Sequence, residues 1–249
     1  MNFMKYFFIG IFVSVVLWSC KSQISTENPP VVIKKKCSVL FVGNSYTYYN
    51  DGIDFHIQKM LNADATLDTI TYIFEKIAVG SYTLEAHYGD LLTLNKIRSQ
   101  KWTTIVLQEQ STRPINNPDL FLDYASKLDL EIKKVGAELV LFMTWAQKDQ
   151  PGEINGLAAS YISVGSQLKA KVVPVGKVWE YFQNSNPQID LYISDNKHPT
   201  LAGTYATACV FYYSLFSKNP VNNTYIPDGI SLENVKAIRK MVYDYMKAN

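Results

Sequence analysis

The stretch "VLFVGNSYTYYN", from Val39 to Asn50, joins a short apolar run to a glycine, an asparagine and a serine, then to a patch rich in tyrosine. Four apolar residues bounded by a glycine read as a buried strand. Gly43 permits an unusual backbone or a close approach of another chain segment at the strand's end. Ser45 follows directly, and two readings of it are open. It is either a nucleophile held at the end of a strand or a loop serine capping the next helix. Partners elsewhere in the chain must decide.

Outward from this stretch, short apolar runs alternate with amphipathic ones. Ser38 to Val42 reads as the first strand, and the run between Leu67 and Val79 holds a second. Thr103 to Leu107, Glu138 to Met143 and Ala170 to Val175 follow as the third, fourth and fifth. Helical spacing marks Ile53 to Leu61, Pro118 to Val135, Gly156 to Leu168, Leu201 to Phe216 and Ser231 to Met246. This alternation predicts an α/β fold with a parallel five-stranded sheet covered on both faces. In such sheets ligands bind beyond the carboxyl ends of the strands, so functional residues are expected just after them.

The chain has three histidines, His56, His87 and His198. The first two sit in stretches that suit structural roles. His198 lies in "SDNKHPT", three residues after Asp195, so one tight turn brings a carboxylate to the imidazole. Pro199 restrains His198 toward an extended backbone, and Thr200 is placed to cap the helix that follows. Oxyanion donors are sought after the second and third strands. Gly80, in "IAVGSYT", offers an unobstructed backbone N–H, and "QEQ" (Gln108 to Gln110) offers a side-chain carboxamide. After the fourth strand, Trp145 and Gln147 are candidates for lining a substrate pocket. Arg113 is a candidate to meet an anionic substrate or to pair with Glu109. The tyrosines at 46, 48 and 49 are candidates for a sugar-stacking surface.

Taken in order, "FVGNSYT", Gly80, "VLQEQS" and "DNKHPT" resemble the sequence blocks of the SGNH/GDSL hydrolases. The resemblance spans residues 37 to about 217 and implies a flavodoxin-like three-layer α/β/α sandwich that hydrolyses esters without a metal or other cofactor. It also implies Ser45 as nucleophile, His198 as base and Asp195 as its orienting acid. The oxyanion hole would be formed by the N–H groups of Ser45 and Gly80 and the side chain of Gln110, with Gln108 as the alternative. Two positions depart from the family pattern. Asn44 stands where an aspartate is common, and Gln108-Glu109-Gln110 replaces a Gly-x-Asn block. The α/β-hydrolase fold fits poorly, because Thr47 occupies the last glycine position of Gly-x-Ser-x-Gly.

The amino terminus reads as a leader. Tyr6 to Trp18 is apolar but short for a mature span, and Leu17-Trp18-Ser19-Cys20 resembles a bacterial lipobox. The expected organisation is therefore a signal peptide over 1–19, a tether over 20–36 beginning at a lipidated Cys20, and one domain over 37–249. That organisation implies an exported protein held to a membrane of the cell envelope by lipid. Cys37 and Cys209 are then left either to pair or to remain as buried thiols. A net charge of +2, with no basic block longer than Lys34–Lys36, argues against nucleic-acid binding. The expected activity is release of an O-acetyl or other short acyl group from a carbohydrate. The alternatives are a lipid-directed esterase of the lysophospholipase or thioesterase type, and a catalytically degenerate carbohydrate-binding protein.

Overall fold

The apolar run before Ser45 forms β1 (Lys35–Gly43), whose residues from Ser38 onward are buried. The computed structural model describes Met1, residues 35–64 and residues 70–249. The lipobox and nearly all of the expected tether lie outside the described residues.

Beyond β1 come α1 (Ser45–Tyr48), α2 (Ile53–Ala63), β2 (Ile70–Ala78), α3 (Leu84–Gly89), α4 (Leu91–Arg98) and β3 (Thr104–Leu107). The second half contains α5 (Arg113–Asn116), α6 (Pro118–Lys134), β4 (Glu138–Phe142), α7 (Glu153–Leu168), β5 (Lys171–Val173), α8 (Val175–Ser185), α9 (Leu201–Phe216) and α10 (Leu232–Ala248). The strands pair in the order β2-β1-β3-β4-β5, all parallel. The chain thus leaves β1 toward one edge and returns to its other side at β3. The carboxyl ends of β1 and β3 border the crevice where doubly wound sheets bind ligands.

Because strand side chains alternate between faces, the sheet divides its core in two. Val39, Phe41, Val106, Val140, Phe142 and Val173 pack with α2, α8, α9 and α10. Leu40, Val42, Ile105, Leu107, Leu139 and Leu141 pack with α4, α6 and α7. The near-continuous apolar character of β1 and β3 follows from burial on both sides. This is the expected three-layer α/β/α sandwich with a five-stranded parallel sheet.

Several boundaries differ from expectation for local reasons. β5 stops at Val173, because Pro174 has no N–H to continue the ladder and Val175 begins α8. The helix expected from Gly156 begins at Glu153. The helices α3, α4 and α8 are not among those that the helical spacing marks. In α4 the apolar pair Leu91 and Leu92 faces solvent at 70% and 72% exposure, while Thr93 and Ile97 are buried. Thr200 caps α9 as anticipated, its hydroxyl accepting from Gly203 N at 3.1 Å. Cys37 and Cys209 are both free thiols, the second fully buried in α9. No helix among the described residues is long and apolar enough to cross a membrane.

Candidate active site

Ser45 is not a helix cap. That position belongs to Asn44, whose Oδ1 accepts from Tyr46 N at 3.2 Å and leaves Ser45 as the first residue of α1. The Ser45 side chain meets His198, with Nε2 2.9 Å from Oγ. On the far side of the ring, Nδ1 lies 2.6 Å from Asp195 Oδ2. Desolvation raises the Asp195 carboxyl, but hydrogen bonds from the His198 ring and from the His198 and Lys197 amides outweigh it and hold the group at about 2. An ionised carboxylate only accepts, so Nδ1 carries the imidazole proton and the Ser45 hydroxyl donates to Nε2. The three residues expected to act together are brought together in the expected order.

A tight turn carries Asp195 and His198. Asp195 Oδ1 accepts from the amides of Lys197 and His198, each at 2.9 Å, and Asn196 takes a left-handed conformation with φ of 62°. Ile193 N donates to His198 O at 2.9 Å, and Thr200 N donates to Leu191 O at 2.9 Å. From below, Trp145 Nε1 donates to Lys197 O at 2.9 Å.

That last contact corrects one expectation. Trp145 does not border the cleft around Ser45: it is 1% exposed and stacked between Tyr46, at 4.2 Å and 13°, and Trp179, at 3.9 Å and 2°. It braces the residue after Ser45 against the turn that holds His198. Gln147, half-buried, also lies outside the lining of the cleft around Ser45. Arg113 pairs with Glu85 at 2.5 Å. Tyr46 is buried, Tyr48 is exposed, and the ring of Tyr49 lies against His198.

The other two histidines are structural. His87 is buried, with Nε2 2.8 Å from Gly43 O and Nδ1 2.9 Å from Thr93 Oγ1. His56 is buried between Asn50 O and the Tyr225 hydroxyl. Burial lowers the pKa of both.

The cleft at Ser45 has a volume of about 250 Å³ and is bordered by Tyr46, Ser81, Gln110, Ser111, Lys197 and His198. Backbone N–H groups of Ser45, Gly80 and Ser81 have no hydrogen-bond partner among the described residues. They remain available as donors. Ser81, left-handed with φ of 63°, borders the cleft beside the Gly80 that sequence singled out. No group of three or more His, Cys, Asp or Glu side chains among the described residues is arranged to hold a metal ion.

Similar arrangements of sheet and helices occur in several solved structures. A DUF4886 family protein from Bacteroides uniformis superposes with a TM-score of 0.73 at 19% identity, over 86% of this chain and 95% of its own. A candidate SGNH hydrolase from Slackia heliotrinireducens gives 0.61 at 20% identity, over 73% of this chain and 100% of its own. The acetyl xylan esterase AlAXEase gives 0.59 at 17% identity, over 72% and 99%. The fold is that of the SGNH hydrolases. In sequence, no protein-family model and no curated protein matches the chain.

Within this SGNH fold the two departures explain each other. Gln108 is fully buried, and its Oε1 accepts from Asn44 N at 2.9 Å and from Thr47 Oγ1 at 3.0 Å. Its Nε2 donates to Asn44 Oδ1 at 3.0 Å and to Glu109 O at 2.6 Å. Both of its N–H groups are committed, so Gln108 is removed as an oxyanion donor. The close approach requires Gly43, where an added Cβ would stand 2.6 Å from Gln108 Oε1 and 2.5 Å from Thr47 Oγ1. Gln110, by contrast, borders the cleft; its Nε2 donates only to Ser111 Oγ at 3.1 Å, leaving one N–H free.

Between these glutamines, Glu109 is fully buried, and its Oε1 accepts from Gln110 N at 2.6 Å and Leu84 N at 3.1 Å. Burial pushes its carboxyl up to about 7, against those two hydrogen bonds and the nearby Arg113 charge. The folded chain therefore keeps a proton there that the unfolded chain releases near 4.5. This contribution to stability is complete below pH 4.5 and is lost as pH rises toward 7, by as much as about 3 kcal/mol. Denaturant titrations across that window should show a steeper decline for the wild type than for Glu109→Gln. Equal declines in the two chains would contradict the assignment.

Proposed function

We propose that the protein is a serine esterase that releases a short acyl group through an acyl-enzyme. The observation that carries this reading is the hydrogen-bonded chain from Ser45 Oγ to His198 to Asp195, with distances of 2.9 and 2.6 Å. In the proposed cycle, Ser45 Oγ attacks the ester carbonyl as His198 Nε2 takes its proton. Asp195 holds the tautomer and stabilises the imidazolium. The carbonyl oxygen, now negative, is received by the free N–H groups at Ser45 and at Gly80 or Ser81, and by Gln110 Nε2. His198 returns the proton to the departing alkoxide, and water then repeats the sequence to free the acid and Ser45.

An acetyl group on a carbohydrate suits the cleft better than a fatty chain. The cleft is small, about 250 Å³, and none of the residues bordering it is a Leu, Ile, Val or Met that would solvate a long acyl group. One neighbour in fold is named as an acetyl xylan esterase, which makes acetylated polysaccharides the first substrates to test. A fluorophosphonate probe should label Ser45, and Ser45→Ala should abolish both labelling and acetate release. Across p-nitrophenyl esters, kcat/KM should fall from acetate to octanoate. A folded protein that takes no label would sink the esterase reading and favour the carbohydrate-binding one, whereas a preference for octanoate would favour the lipid-directed alternative.

The two glutamines provide a second test. Gln110→Ala should cost roughly a hundredfold in kcat with little change in melting temperature. Gln108→Ala should instead lower stability by about 1–3 kcal/mol, because it strips buried partners from Asn44 and Thr47. The reverse pattern would exchange their roles.

We also propose that the esterase is exported and anchored through lipidated Cys20, a reading supported by the apolar leader and the sequence Leu17-Trp18-Ser19-Cys20. Cys20→Ala should move the protein from the membrane fraction to the soluble one. Wild-type protein recovered in the soluble fraction with residues 1–19 intact would refute this.

A further inference from the structure

We propose that Tyr49, held in place by a left-handed turn, is a positioning residue that keeps the His198 imidazole in its working plane and favours its protonated form during turnover. The inference rests on the reading of Ser45, His198 and Asp195 as a catalytic chain. The Tyr49 ring lies face to face with the imidazole, centroids 4.6 Å apart and planes 12° from parallel. Tyr46 meets the same imidazole edge-on at 5.8 Å and 87°, so the ring sits in an aromatic corner.

The backbone after Tyr49 forms a tight turn that fixes its placement. Asn50, Asp51 and Gly52 are consecutive left-handed residues, with φ of 51°, 69° and 96°. Asn, Asp and Gly adopt such conformations more readily than other residues, and surrounding bonds can lock the turn they form. Those bonds are present. The Asn50 carbonyl accepts from His56 Nε2 at 2.9 Å, and Gly52 N donates to Tyr49 O at 3.0 Å. Asn50 Nδ2 donates to Pro199 O at 3.1 Å and Thr204 Oγ1 at 2.8 Å. The turn is thereby tied to the residue next to His198 and to α9.

Chemistry gives the stack a purpose that hydrogen bonds alone do not serve. In the resting site Ser45 and Asp195 fix the two nitrogens. Once Ser45 Oγ has attacked and given its proton to Nε2, its donated hydrogen bond is gone, while the imidazolium must aim that proton at the leaving oxygen before the acyl-enzyme forms. A face contact persists through that step. The π face of a tyrosine also attracts a cation more strongly than a neutral ring, so the contact strengthens as the imidazolium forms. An interaction realised in the charged state raises kcat and leaves KM nearly unchanged.

Full-length wild type and Tyr49→Phe, Tyr49→Leu, Asn50→Ala and Ser45→Ala variants should be compared on p-nitrophenyl acetate and a fluorophosphonate probe, with melting temperatures measured for each. Ser45→Ala reports on the catalytic chain itself. With Ser45→Ala inactive, Tyr49→Leu should lower kcat and the labelling rate by about tenfold or more at unchanged KM. Tyr49→Phe should stay within about twofold of wild type, since it keeps the ring face. Asn50→Ala should fall between. The proposal is overturned if Tyr49→Leu keeps wild-type kcat, if Tyr49→Phe is as impaired as Tyr49→Leu, or if the loss appears in KM. An active Ser45→Ala variant would instead remove the catalytic chain on which the proposal stands.

Discussion

The site depends on one buried amide pair at the ends of adjacent strands. Gln108, just past β3, presents its carboxamide to the backbone N–H and side-chain oxygen of Asn44, just past β1. This extends the hydrogen-bonding between the two strands after the ladder itself has ended. A one-sided contact would leave a buried donor or acceptor unpaired at considerable cost, whereas the reciprocal pair satisfies both partners. It also explains why Gly43 must be small and why Asn44 caps α1, putting Ser45 at the helix's first position. An aspartate at position 44 would have no proton to give Tyr82 O, to which Asn44 Nδ2 donates at 3.0 Å. The two departures from the SGNH pattern are thus one compensated change.

A second brace joins the two sides of the site. The parallel rings of Tyr46, Trp145 and Trp179 form a buried column, and the Trp145 indole N–H supports the carbonyl of Lys197. The Ser45 side and the His198 side of the site therefore share a rigid foundation in addition to their direct contact. Packing of this kind fixes geometry more firmly than the exposed turn carrying Asp195 can by itself.

Much of this was legible in the sequence because periodicity and chemistry agreed. The strand runs and the long helices α6 and α9 have strong patterns, and the Asp195–His198 spacing admits few geometries. Where the sequence misled, a tertiary contact had overruled a local signal. α4 exposes its two leucines and buries a threonine that bonds to His87, so its apolar pattern points the wrong way. Trp145 follows a strand, as a pocket residue would, yet its neighbours Tyr46 and Trp179 come from other parts of the chain. The commitment of Gln108 and the freedom of Gln110 were likewise invisible, since they depend on which carboxamide finds Asn44. α8 did carry a readable signal in Val175, Val178, Trp179 and Phe182, spaced along one helical face.

The hydrogen bond between Ser45 and His198 joins residues separated by 153 positions. Such a contact belongs to the high end of sequence separation, and the loop it closes carries its entropic cost before any reward is gained. During synthesis Ser45 emerges long before His198, and the serine hydroxyl passes that interval without its imidazole partner. An amino-terminal fragment ending before residue 198 can contain the glycine turn, the strand and the serine, yet it lacks His198 and so cannot form this bond. The contact between Ser45 and His198 thus spans every strand of the sheet after β1, the last of which ends at Val173.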